Sequence, residues 1–181
     1  MKKLPLFLAG ILALAFIAVL LWYRGWQPAS QNTREGPAPM AGGEAGRMAP
    51  PFSLPDISGN SISSTRFAGK PIVINFFATW CPPCREEVPG FVEVYNKYRG
   101  NGFELVGISL DMDTKGNLPA FLTQNRVEYR ILMGDVATAR AYGGVSSIPT
   151  TFFVGKDGII KNVHIGYLDK DTFEREVRKL L

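Results

Sequence analysis

Behind Met1-Lys2-Lys3 the chain enters an almost uninterrupted apolar run from Leu4 to Tyr23, closed by Arg24. Twenty such residues span about 30 Å as a helix, enough to cross a bilayer core. A cleaved signal peptide is the alternative, but the run exceeds the roughly 7 to 15 residues of an h-region, and no small-x-small site follows it closely. We therefore expect residues 1–26 to form a transmembrane signal anchor. From Gln27 the pattern changes to Pro, Gly and Ala with scattered charge, too poor in apolar side chains to order itself. Residues 27–50 read as a flexible tether with a reach of roughly 25 to 30 Å. Residues 51–181 remain as one domain, large enough for a core of its own.

Within that domain, Phe52 to Leu54 and Ser61 to Ser63 flank a Gly-Asn turn and predict a small hairpin. Ser64 to Ala68 predicts a helical turn stopped by Gly69. Ile72 to Phe77 is a continuous branched and aromatic run, the pattern of a central strand covered on both faces. Phe91, Val92, Val94, Tyr95 and Tyr98 recur at helical spacing and predict a helix from Pro82 to about Tyr98. Next come a strand over Phe103 to Leu110, a helix near Asn117 to Asn125, a strand at Tyr129 to Leu132 and a helix from Asp135 to Tyr142. Thr150 to Val154 and Ile159 to Ile165 form a second hairpin, and a last helix starts at Asp171 behind an approximate capping box. Strands alternating with helices, then a closing hairpin, imply an α/β fold with a mixed sheet flanked by helices.

Charge adds little. The net charge is +4, but without Lys2, Lys3 and Arg24 the rest carries 17 basic against 16 acidic residues. No basic stripe stands out, so nucleic-acid binding is discarded. Lys2 and Lys3 against the single Arg24 favour a cytoplasmic N-terminus. That orientation makes the protein a single-pass protein of a bacterial inner membrane, with its domain in the periplasm or an equivalent extracytoplasmic space.

The chemistry lies in Trp80-Cys81-Pro82-Pro83-Cys84, directly after the apolar strand, which holds both cysteines of the chain. A disulfide closing so short a loop adds little stability, because the entropy it removes grows with loop length. The pair reads as a redox centre cycling between dithiol and disulfide, with no other cofactor. Zinc needs two further ligands, and His164 alone is available, far along the chain. No metal site is expected. An extracytoplasmic compartment suits a working CxxC pair. Cys81 stands at the N-cap of the predicted helix, where the macrodipole and free N–H groups stabilise a thiolate, and is the candidate nucleophile. Cys84, one turn on, resolves the mixed disulfide. Pro82 suits the first helical position. Neither Pro82 nor Pro83 has an N–H, so chiefly the Cys84 N–H is left to the Cys81 sulfur, which argues for a reductant. Glu87 shares a helical face with Cys84. It is either a partly buried acceptor for the Cys84 proton or a solvated acid favourable to the dipole.

The sequence Val73 to Cys84, with Glu87, Pro89 and later Ser147-Ile148-Pro149-Thr150-Thr151-Phe152, resembles the membrane-anchored thioredoxin-like proteins of the TlpA, ResA and CcmG (DsbE) group. That resemblance implies a thioredoxin-like fold with an N-terminal hairpin and a central insertion between Asp111 and Tyr142. It implies that Pro149 is cis and that its loop lies against the CxxC, so that Ile148, Pro149 and Thr150 line a substrate groove with Trp80, Pro82 and Pro83. It gives the acid at Glu87 a part in resolution and places Asn75 where thioredoxin carries a buried acid. It implies a thiol–disulfide oxidoreductase that reduces protein disulfides, of apocytochrome c or of copper-site proteins in respiratory oxidase assembly. Its electrons would come from a membrane thiol relay of the DsbD or CcdA kind. An oxidase or isomerase is the closest rival, and a Cu(I) metallochaperone using both cysteines as soft ligands is a more distant one.

Overall fold

The computed structural model describes residues 45–181 except Asp113, and before them only Val19 and Trp22, both helical. Most of the expected anchor and tether thus lies outside the described residues. Among the described residues no helix is long and apolar enough to cross a membrane. Val19 and Trp22 fall in one unit, Met1–Ala38, and the domain described here in another, Pro39–Leu181.

Among the described residues from 45 onward, seven strands and four α-helices follow in chain order. A hairpin of β1 (Ser53–Pro55) and β2 (Ser61–Ser63) leads through a 3-10 turn, Ser64–Phe67, to β3 (Ile72–Phe77). Then come α1 (Pro82–Tyr98), β4 (Glu104–Ser109), α2 (Leu118–Gln124), β5 (Arg130–Met133), α3 (Val136–Ala141), β6 (Thr150–Val154), β7 (Ile160–Ile165) and α4 (Lys170–Leu180). The main sheet has the order β5-β4-β3-β6-β7. Its pairs β3·β4 and β4·β5 are parallel, while β3·β6 and β6·β7 are antiparallel. This is the expected thioredoxin-like α/β fold, and the central insertion supplies β5 as an edge strand.

β3 is buried at all six positions, and its alternation divides the core in two. Val73 and Phe77 face α1, α2 and α4, where Phe91 stacks on Phe173 with centroids 3.9 Å apart. Ile72, Ile74 and Phe76 face the hairpin side with Leu54, Phe67, Tyr142 and Phe152. Asn75 interrupts the first row, so its amide is fixed inside the sheet beneath α1.

Two expectations need adjusting. The last helix is capped by Asp169, which accepts the Thr172 N–H at 3.0 Å, and not by Asp171. Asp169 has the extended backbone that an N-cap requires, and the helix therefore begins at Lys170. The ordered domain also begins ahead of Pro51. Gly46 N donates to Ile160 O at 2.7 Å, Ile160 N to Arg47 O at 2.8 Å and Ala49 N to Gly158 O at 2.9 Å. Backbone pairing with the start of β7 orders a segment whose side chains alone predict a tether.

Candidate active site

The site forms where β3 hands the chain to α1. Cys81 is the N-cap of α1, with extended backbone, and its sulfur accepts the Cys84 N–H at 3.4 Å. Pro82 occupies the first helical position, and α1 runs through Pro89 without ending. Cys81 and Cys84 are joined by a disulfide, with their Cα atoms 5.3 Å apart. The candidate nucleophile is nearly covered: Cys81 is 3% accessible and Cys84 is wholly buried. The cause is the loop before β6, which brings the Ile148 carbonyl within 3.7 Å of Cys81 Sγ. The Ile148–Pro149 bond is cis, as the resemblance implies.

The remaining residues of the groove surround this contact. Trp80 is 59% exposed beside the disulfide, Pro82 is exposed and Pro83 half-buried. Pro149 and Thr150 are buried, and the Thr150 hydroxyl donates to Ser147 O at 2.7 Å, bracing the loop. His164 lies on β7 with Nε2 2.9 Å from Tyr167 O, a strand-surface position.

Of the two readings of Glu87, the solvated acid is not what the structure contains. Glu87 is buried on the inner face of α1, while Glu86 is exposed. Asn75 Nδ2 donates to its Oε1 at 2.9 Å, and Leu168 N to its Oε2 at 3.3 Å. Burial raises its pKa to about 8 against the opposing effect of these two donors. Asn75 Nδ2 also donates to Thr151 Oγ1 at 3.1 Å.

Two further residues shape the site without having been singled out in the sequence. Asp111, buried two residues beyond β4, accepts hydrogen bonds from Thr79 N, from Thr79 Oγ1 at 2.6 Å and from Ser109 Oγ at 2.8 Å. Arg85 donates to Thr79 O at 3.1 Å and lies 5.6 Å from the Phe121 ring centre, joining the inserted helix α2 to the redox loop. A polar residue directly after the apolar run Phe103 to Leu110 was the signal for Asp111. Arg85 offered none, because its partner Phe121 lies in the insertion.

A thioredoxin-like fold with a CxxC disulfide at a helix N-terminus and a cis-proline loop against it defines a thiol–disulfide oxidoreductase. Residues 45–163 match the AhpC/TSA family, and the chain belongs to that family. Thioredoxin-like protein YneN of Bacillus subtilis (strain 168) is 30% identical over 172 residues, covering 94% of this chain and 95% of its own. Thiol-disulfide oxidoreductase ResA of Bacillus thuringiensis subsp. konkukian (strain 97-27) is 31% identical over 137 residues, covering 76% and 79%. Among solved structures, a thiol:disulfide interchange protein of the thioredoxin family from Chlorobium tepidum TLS superposes with a TM-score of 0.69 at 33% identity. It covers 76% of this chain and 97% of that one.

Proposed function

We propose that this enzyme is a reductant of protein disulfides, held by Leu4 to Tyr23 in a bacterial inner membrane with its domain on the extracytoplasmic side. The observation that carries the reading is the donor-poor N-cap: the Cys84 N–H meets Cys81 Sγ at 3.4 Å, and Pro82 and Pro83 have no N–H to add. A thiolate with few donors is a poorer leaving group, and its disulfide is harder to reduce, so the dithiol gives up its electrons readily.

In the forward direction the Cys81 thiolate attacks one sulfur of the substrate disulfide, forming a mixed disulfide and releasing one substrate thiolate. Cys84 then passes its proton to the Glu87 carboxylate and attacks Cys81 Sγ. The Cys81–Cys84 disulfide forms, and the second substrate sulfur leaves as a thiolate. Two electrons have moved from the dithiol to the substrate. A carboxyl whose pKa burial has raised to about 8 is a far stronger base than an ordinary carboxylate, which suits it to accept a proton from a thiol. On re-reduction the same group works in reverse. Protonated Glu87 returns its proton to Cys84 as an incoming thiolate opens the disulfide at Cys81.

The substrates are proteins that present an oxidised cysteine pair to the Ile148–Thr150 loop. The resemblance to ResA and DsbE proteins favours apocytochrome c or copper-site proteins as those substrates, and a DsbD or CcdA type relay as the electron source. Trapping tests this. A Cys84→Ser protein expressed in its own cells is expected to accumulate mixed disulfides through Cys81, which mass spectrometry identifies. Adducts that persist when Cys81 is replaced as well contradict the reading.

A further inference from the structure

Asn75 and Thr151 are directly opposed partners on β3 and β6, and both are buried. A single atom, Asn75 Nδ2, spends its two N–H groups on Glu87 Oε1 and Thr151 Oγ1. We propose that Asn75 and Thr151 are positioning residues that form a relay following the proton of Glu87, the amide presenting Nδ2 to the ionised carboxylate and turning Oδ1 to the protonated acid. This rests on the reading of Glu87 as the proton acceptor.

The chemistry of the three groups carries it. A buried carboxyl that gains and loses a proton leaves a fixed donor facing an O–H, or a fixed acceptor facing a carboxylate. A carboxamide has one end of each kind, and a hydroxyl either donates or accepts. With Glu87 ionised, Nδ2 donates to both neighbours. With Glu87 protonated, Oδ1 accepts from both the acid and the Thr151 hydroxyl. The other oxygen, Oε2, keeps the Leu168 N–H. That arm leads to the residue just before β6, since Gly166 N, two residues before Leu168, donates to Pro149 O at 2.8 Å. One carboxyl oxygen is thus tied to β6 through Thr151, and the other to the cis-proline directly before it. The titratable groups around the relay are Cys84 one turn earlier on α1, buried Tyr129 just before β5, and His164 opposite Thr151 on β7. Neither a cation nor a second carboxylate contributes to the shift of Glu87.

The test is carboxyl and side-chain amide NMR of the full-length chain in detergent, titrated in the oxidised state, for wild type, Thr151→Val and Thr151→Ser. Valine strands an Asn75 N–H only when Glu87 is ionised. It is therefore expected to raise the Glu87 midpoint by about one pH unit, with serine restoring it. In the wild type the Asn75 amide resonances are expected to move with that same midpoint. An unmoved midpoint in Thr151→Val, or amide resonances flat through it, overturns the relay. Kinetics separates this from the parent reading. If Thr151→Val moves the midpoint while mixed-disulfide release ignores Glu87 ionisation, the relay stands and the proton-acceptor role falls. If release follows Glu87 ionisation and Thr151→Val changes neither, the relay alone falls.

Discussion

Asp111 holds Thr79 by both of its donors: the carboxylate takes the Thr79 backbone N–H at 3.0 Å and the Thr79 hydroxyl at 2.6 Å. Thr79 is two residues before the nucleophile, so the segment just beyond β4 fixes the approach to Cys81. Burial alone would raise the Asp111 pKa. Donors from Thr114, Thr79 and Ser109 outweigh it, and the net effect is a lowered pKa.

Replacing Asp111→Ala leaves the buried Thr79 N–H and its hydroxyl without their acceptor, and is expected to cost about 2 to 3 kcal/mol. Because the folded pKa is depressed, the contribution of Asp111 is complete above its ordinary value of 3.8 and is lost as the pH falls below it. Denaturant melts of wild type and variant should therefore converge in acid. A constant gap down to the lowest accessible pH would show that the carboxylate charge is not what matters.

Glu87 acts in the opposite sense. Its folded pKa of about 8 exceeds the ordinary 4.5, so the folded protein keeps a proton that the unfolded chain releases. Stability linked to this group is whole below about pH 4.5, declines as the pH rises towards about 8, and is level beyond. Glu87→Gln removes that decline. Between pH 5 and 8 the oxidised variant should gain roughly 2 to 5 kcal/mol relative to wild type. Parallel stability curves over that range would mean that Glu87 is ionised in the fold.

The same substitution should slow release of a mixed disulfide about 100-fold at neutral pH, while alkylation of Cys81 in the reduced protein stays within a factor of a few of wild type. Stopped-flow release from a Cys81-linked peptide measures the first and peptide mapping the second. Equal losses in both steps would place Glu87 with Cys81 and not with Cys84.

Gly107 is required by packing. A Cβ there would lie 2.7 Å from Ile131 Cδ1 and 3.0 Å from Phe77 Cε1. Gly107→Ala is expected to destabilise the domain by about 1 to 3 kcal/mol through overpacking between β3, β4 and β5. Chemical denaturation checks this, and an unchanged midpoint would mean that the edge strand β5 yields freely.

Much of this was legible in the chain because the signals were local. The apolar run Ile72 to Phe77 and the helical spacing behind it fixed β3 and α1 at their observed limits, and the CPPC pair at their junction marked the reactive sulfurs. The cis bond at Pro149 came through the resemblance. What stayed hidden depends on partners distant in sequence. Whether Glu87 was buried turned on Asn75, twelve residues earlier, and on Leu168, 81 residues later. The covering of Cys81 turned on Ile148, 67 residues away. The cap of α4 was misread by two residues because Asp169 and Asp171 offer the same side chain, and only the backbone at Asp169 distinguishes them.

The central claim is the direction of electron flow, and the equilibrium reduction potential of the Cys81–Cys84 couple against glutathione tests it most directly. With the Cys84 N–H as the backbone donor to Cys81 Sγ, the potential is expected nearer thioredoxin's roughly −270 mV than the roughly −120 mV of DsbA. A value close to that of DsbA would contradict the account and make the enzyme an oxidant.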